Sequence, residues 1–565
     1  MRYCFAFVCQ AGELEPKALL LAASLRRHLR CEHELVAAIP QPESAWGKPG
    51  AATLDALRRM GVRFAAIENP IDPSYPIANK IACLGIETTA DKRVFMDSDM
   101  LCLRDFAGPA RFGEAAVNVK PGDLVGIASD LSQWDAAYQA CGVTLPAWRV
   151  TATVSRQSMP PYFNAGFIAC DRASGLAREW AECARAIDAS AAVARKRPWL
   201  DQVALSVAIA KRGLSVDCLD ERFNYPAHLR PLRGEAPYFC HYHYPQVIRR
   251  EPRLLALFSS LLAEHPGIRA VLEAHAEWSM LLAPRAVEVR EDTPAPELIV
   301  TGIPRSGTSY LCKLLHELGD CVIVNEPPEI FAPLQAHEIP HGVALYYRDL
   351  RRDVLDGKPI RNKLHNGEFI EDTARIDTVE EYRAVVTRPD FLVGTKNTLA
   401  YLARLPQVHR ALPDAGIVAC VRHPLDTIAS WKSTFAHLAN ADLEGQVLGH
   451  SGDPMMSALQ RERLAEMAAT SHLPLRRALM WRYLAEIVLE HRDRIAVLRY
   501  EDVVADPAAA VRRVFAAVPG MFDAPMPAWK ASSPRSNRAV LDAQDLAAIR
   551  GICAQTAADF GYEPF

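Results

Sequence analysis

The residues best suited to chemistry are GIPRSGTSYLC at 302–312, set between the apolar run LIV and the helix-like stretch KLLHEL. Gly302 and Gly307 permit a tight turn with inward-pointing N–H groups, and Thr308 and Ser309 open a helix whose N-terminus carries partial positive charge. Such a turn holds an anion. Arg305, inside the loop, adds a planar guanidinium suited to a bidentate grip on phosphate or sulfate, and the two hydroxyls add donors. A second constellation ends the apolar run RVFM: Asp97 and Asp99 lie two residues apart, on one face of a strand. Carboxylates there need a partner or a cation. Their spacing suits Mn²⁺ or Mg²⁺ bridging the phosphates of a nucleotide diphosphate, because hard cations take oxygen ligands. Asp pairs also close turns and cap helices, which is the alternative.

The spacing G-x-x-x-x-G is that of the triphosphate-binding P-loop, but Thr308-Ser309 stands where that motif has Lys-Ser/Thr, which argues against kinase chemistry. Further on, IVACVRHPLDTIASW carries Arg422 and, eight positions later, Ser430, and VLRYEDVVADP follows at 497–507. Together these three segments resemble the sulfotransferase family over residues 297–565. The resemblance implies 3′-phosphoadenosine 5′-phosphosulfate (PAPS) as sulfuryl donor. Its 5′-phosphosulfate would be held by Gly302, Arg305, Ser306, Gly307, Thr308 and Ser309, and its 3′-phosphate by Arg422 and Ser430. It also implies Glu326, in VIVNEPPEIF, as the base that deprotonates an acceptor hydroxyl, and Lys396, in FLVGTKNT, as the cation near the leaving phosphate. The alternatives are a helix cap or a pairing with a nearby Arg for Glu326 and a solvated turn for Lys396.

The Asp97–Asp99 pair resembles the DxD motif of nucleotide-sugar glycosyltransferases, those akin to the glycogenin and galactosyltransferase group. PYFNAGFIACDR at 161–172 is similar to that group's F-N-S/A-G segment, and WLDQVALSVA at 199–208 to its D-Q segment; the likeness covers about residues 1–250. It implies Asn164 and Gly166 against donor and acceptor, Asp201 and Gln202 near the sugar, and a late histidine as third metal ligand. YFCHYHYP offers His241 and His243, which share a face by alternation; either binds Mn²⁺ through a neutral imidazole or is a packed core residue. Lys80, in the helix before the DxD strand, either reaches the diphosphate or is solvated. The group's downstream Gly and Lys-Pro-Trp pattern is absent here.

Positioning these residues takes more than one core, since 565 residues exceed a single domain. Apolar strand-like runs alternate with amphipathic helices in the first half (YCFAFVC, KALLLAASLRRHL, ELVAAIP, ATLDALRRMG, VRFAAIE), a rhythm that predicts a parallel sheet with ligands at the strands' carboxyl ends. The expected fold is α/β: a Rossmann-like glycosyltransferase domain over 1–285, a charged Pro-containing linker over 286–296, and a P-loop sulfotransferase domain with a parallel sheet over 297–565. Half the residues are hydrophobic and 23% are charged, which excludes a disordered chain. The formal charge of −3 gives no sign of a nucleic-acid partner. No run approaches the ~18 apolar residues of a membrane span, and MRYCFAFVCQ does not read as a signal peptide, so a cytoplasmic location is expected. Fourteen cysteines without a C-x-x-C pair read as free buried thiols. The expectation is a bifunctional transferase acting on a nucleotide sugar and a glycan or other hydroxyl acceptor. The alternatives are a sulfotransferase with a non-catalytic glycan-binding N-terminal domain, or a P-loop kinase.

Overall fold

The computed structural model describes residues 1–108, 112, 114–123, 131–282, 295–336, 338–373, 376–441 and 448–565. The chain divides into two units, Met1–Pro284 and Arg285–Phe565. Of the expected linker, residues 286–294 lie outside the described residues.

The first unit is built on a seven-stranded sheet: Tyr3–Val8 (β1), His33–Gln41 (β2), Val62–Glu68 (β3), Lys92–Met96 (β4), Val117–Pro121 (β5), Phe163–Asp171 (β6) and Val216–Cys218 (β7), in the spatial order β7-β5-β6-β4-β1-β2-β3. Every residue of β1 is buried, as expected of a central strand covered on both faces. One apolar layer contains Phe5, Leu19, Phe106, Phe167 and Phe239, the other Phe95, Trp134, Trp180 and Ile168. The sheet departs from the all-parallel expectation at one strand. β6 runs antiparallel to both neighbours, β4 and β5, while the other pairs are parallel. An antiparallel β6 brings its first residues, Phe163 to Gly166, to the carboxyl end of β4, where Asp97 begins. A small second sheet pairs Phe239–His241 antiparallel with Met100–Cys102. Helices Leu14–His28 (α1), Asn79–Leu84 (α2) and Leu200–Lys211 (α3) carry Lys17, Lys80 and Asp201.

The second unit holds a five-stranded, wholly parallel sheet: Glu297–Gly302 (β8), Cys321–Asn325 (β9), Leu392–Lys396 (β10), Gly416–Val421 (β11) and Ala496–Arg499 (β12), ordered β9-β10-β8-β11-β12. The glycine turn that carries Arg305 follows β8 and leads into Thr308–His316 (α4); Pro424–Thr434 (α5) follows β11. Gly302 is required by close packing: a Cβ there would lie 2.1 Å from the Cys420 carbonyl oxygen on β11. A three-stranded antiparallel sheet around Ile360–His365 stands beside β9, tied to it by the Asn362 amide, which accepts from the Asn325 N–H at 2.8 Å and donates to the Ile323 carbonyl at 2.8 Å.

All fourteen cysteines are free, and all but Cys31 and Cys218 are buried. Among the described residues, no helix is long and apolar enough to cross a membrane.

Candidate active sites

In the second unit the carboxyl ends of all five parallel strands open onto one cleft of about 940 Å³. Across the sheet, the residues that follow the strands and line the cleft are Glu326 after β9, Lys396 ending β10, Pro304, Arg305, Gly307 and Thr308 after β8, Arg422 after β11 and Tyr500 after β12. The volume is that of an ordinary small-molecule site. Arg305 has a left-handed backbone (φ 73°), and its guanidinium donates to the Ser430 hydroxyl at 3.1 Å and pairs with Asp372 at 2.9 Å. Arg422 donates to the Arg305 carbonyl at 3.0 Å and lies over the Tyr500 ring. Burial lowers the Arg422 pKa, with Tyr500 and Asp426 opposing. The Trp431 indole, on α5, donates to the Pro304 carbonyl at 2.9 Å, so α5 braces the loop as well as carrying Ser430. Ser306 is fully buried, and its hydroxyl is spent on the Ile303 and Cys420 carbonyls at 2.5 and 2.8 Å. It shapes the turn, and its hydroxyl does not face the cleft. Gly302 is likewise a packing residue, while Gly307, Thr308 and Ser309 border the cavity.

Glu326 and Lys396 meet because β9 and β10 pair in register, Asn325 against Lys396. Lys396 Nζ donates to Glu326 Oε1 at 2.6 Å, and Lys363 Nζ lies 3.8 Å from Oε2. Burial acts to raise the Glu326 pKa, but Lys396 and then Lys363 outweigh it, holding the carboxyl below its usual 4.5. Glu326 is therefore ion-paired inside the cleft, with lysines in place of the nearby arginine of the alternative reading. Lys363, Asp372 and Arg535 were not legible as site residues: they come from the accessory sheet, the loop after it and the 530s segment, and carry no motif.

In the first unit the two aspartates part company. Asp99 lies in the turn between β4 and Met100–Cys102, and the pairing of His241 with Met100 brings the imidazole to it, with Nε2 2.8 Å from Asp99 Oδ1. His243 Nδ1 is 3.6 Å from Oδ2, and Lys17 Nζ 3.7 Å. Ligand atoms of Asp99, His241 and His243 all fall within 4.8 Å of one another, a set able to hold a metal ion. The two histidines meet differently from the alternation expected of them. The strand ends at His241, His243 takes a left-handed backbone (φ 58°), and the rings stack with centroids 3.8 Å apart. Burial acts to raise the Asp99 pKa, but His241, His243 and Lys17 outweigh it and hold it well down. Burial, aided by neighbouring His241, keeps His243 neutral.

Asp97 does not join this group. Lys80 pairs with it at 3.0 Å and with Asp201 at 3.3 Å, so Lys80 stands between two carboxylates and does not present a free ammonium to a diphosphate. Burial raises the Asp97 pKa, against the pull of Lys80. Asp97 also donates its N–H to the Gly166 carbonyl at 2.8 Å, and a Cβ on Gly166 would fall 2.9 Å from Asp97 Oδ2. The Asn164 side-chain oxygen accepts from the Gly166 N–H and from Asn224, each at 2.8 Å. Asp97, Asn164, Gly166, Asp201 and Lys80 thus form one connected network. Gln202, the next residue on α3, is half-buried. Lys17, Asn224 and His228 complete the neighbourhood and were missed, since each is an isolated polar residue far away in sequence.

The first unit is an α/β fold with acidic and histidine groups at the carboxyl end of its sheet; the second is a parallel α/β fold with an arginine-bearing anion turn. Residues 5–213 match the family model described as a Rhodobacterales glycosyltransferase domain, and residues 296–519 match that of the Sulfotransferase family. The chain is a glycosyltransferase domain joined to a sulfotransferase domain. No curated protein matches it.

Proposed function

We propose that the C-terminal domain, residues 297–565, transfers a sulfuryl group from PAPS to a hydroxyl, and that the N-terminal domain, residues 1–285, transfers a sugar from a nucleotide sugar with Mn²⁺ or Mg²⁺, the stretch 286–296 serving as linker. The observation that carries the first half is the meeting of Arg305, Thr308, Ser309, Glu326, Lys396, Arg422 and Ser430 on one cleft. In this reading the Glu326 carboxylate takes the proton of the acceptor hydroxyl as its oxygen bonds to sulfur. The bond from sulfur to the bridging phosphate oxygen breaks, and adenosine 3′,5′-bisphosphate leaves. Lys396 neutralises charge growing on that oxygen, an effect that counts mainly in the transition state. Arg305 and the N–H groups at the start of α4 hold the 5′-phosphosulfate, and Arg422 with Ser430 the 3′-phosphate.

In the N-terminal domain Asp99, His241 and His243 fit a divalent cation: one carboxylate and two imidazoles, with the acid ionised and His243 neutral. Bound there, the cation would neutralise the departing diphosphate. Asp97 and Asp201, fixed by Lys80, and Asn164 with Gly166 would orient the sugar. The acceptor is read as a glycan, because the two domains then share one substrate class. The test is binding and turnover with the full chain. Tight binding of adenosine 3′,5′-bisphosphate but not ADP, with sulfate passed from PAPS to a hydroxyl, is expected; binding of ADP in preference would replace sulfuryl transfer by kinase chemistry.

A further inference from the structure

Lys120 is the most unusual cation of the N-terminal domain. It sits near the carboxyl end of β5, is only 3% exposed, and among the described residues has no hydrogen-bond or ion-pair partner. Other buried lysines of the chain are matched, Lys92 with Asp171 at 2.9 Å and Lys396 with Glu326, and half-buried Lys80 pairs with two aspartates. A buried ammonium without a hydrogen-bonded partner is costly, and an anionic ligand would offset that cost.

Its position shows where that counter-ion enters. Alternation along β5 sends Val117 and Val119 into the layer containing Trp134 and Ile168, and so sends Lys120 to the opposite face. There the ladder with β6 breaks. Val119 pairs with Ile168 but Pro121 with Phe163, so Lys120 alone stands opposite the four residues Asn164–Phe167. A bulge of this kind re-aims side chains and is common beside active sites. This one carries Asn164 and Gly166, the residues bonded to Asn224 and Asp97. The His228 ring packs edge-on to His243, with centroids 4.0 Å apart, and Lys120 lies within electrostatic range of His228. Burial lowers the Lys120 pKa to about 8, with Asp123 raising and Arg230 lowering it. Asp123 is occupied by the Ser155 N–H at 2.9 Å, and Arg230 by Glu221.

We propose that Lys120 is a binding residue for the diphosphate of the nucleotide-sugar donor, acting beside the cation held by Asp99, His241 and His243. This rests on the donor reading given above. An ammonium in a desolvated pocket beside a divalent-cation site suits a polyanion bound to that cation, and the charge is most valuable as the nucleoside diphosphate departs.

The experiment uses the full chain with UDP, GDP, ADP and CDP as probes in the presence of Mn²⁺, read by calorimetry, with the four nucleosides as controls. The native chain is expected to bind one diphosphate. Lys120→Met is expected to weaken that binding about tenfold or more, to leave Mn²⁺ binding unchanged by electron paramagnetic resonance, and to melt at the same or a higher temperature without ligand. Lys120→Arg, which keeps the charge, is expected to retain binding. Native binding with Lys120→Met within twofold of it would overturn the role of Lys120 and leave the donor reading standing. Failure of the native chain to bind any of the four would overturn both. A lower unliganded melting temperature for Lys120→Met, with Mn²⁺ binding also lost, would show a structural lysine and overturn the proposal.

Discussion

In the functions proposed for them, the two sites hold a phosphate-bearing donor by opposite means. The C-terminal site takes its parts from five adjacent strand ends, and its anion grip comes from a backbone turn, a helix start and a guanidinium. The centre of the N-terminal site joins Asp99 to histidines 142 and 144 positions away, a carboxylate facing two stacked imidazoles. A positive cradle needs no added cation to receive an anion, whereas a centre of ionised Asp99 and neutral imidazole does. Both sites use backbone that ordinary side chains avoid. Of the eight non-glycine residues with positive φ among those described, three are Arg305, Glu326 and His243, and strain of this kind gathers at functional positions.

The sharpest way to break the contrast is to remove metal. EDTA is expected to abolish glycosyl transfer and leave sulfuryl transfer intact, followed by two product assays on one sample; loss of both would put a metal in the arginine cleft. Next in size, Arg305→Ala should reduce sulfuryl transfer about a thousandfold, as loss of a donor to developing negative charge does, with glycosyl transfer unchanged. Glu326→Gln should cost about a hundredfold in kcat, within the range of general-base effects. Because Lys396 and Lys363 hold the Glu326 carboxyl below 4.5, native sulfuryl transfer should show no acid limb from this group until pH falls below that value. In Lys396→Met burial prevails, the Glu326 pKa rises and the acid limb moves to higher pH, which a kcat/KM profile reads directly. By the same sign, whatever stability the pair adds is present above pH 4.5 and is lost as pH falls through the lowered pKa.

The smallest effect concerns Asp372, which occupies the Arg305 guanidinium at 2.9 Å and, at 3.6 Å, also neighbours Arg535. A bound phosphate must compete with this carboxylate. Asp372→Asn should therefore tighten adenosine 3′,5′-bisphosphate about threefold, the scale of a partly exposed ion pair, by calorimetry. Among the described residues no carboxylate pairs with Lys120 in the other domain, so the pair of measurements separates a self-masked site from an open one.

The amino-acid order alone determined the anion turn, because glycines, an arginine and a helix start lie within eleven consecutive residues and their geometry is local. It likewise determined that strands alternate with helices in two regions, since burial on both faces of β1 or β8 demands continuous apolar runs. Spacing could not separate Asp97 from Asp99. Only the tertiary structure assigned one to Lys80 and the other to histidines, because the turn after β4 sends them to different partners. The reversed direction of β6, the register that joins Glu326 to Lys396, and the isolation of Lys120 opposite a bulge were also decided in three dimensions. Each depends on which strand lies beside which, and strand pairing is a long-range contact that no window of neighbouring residues contains.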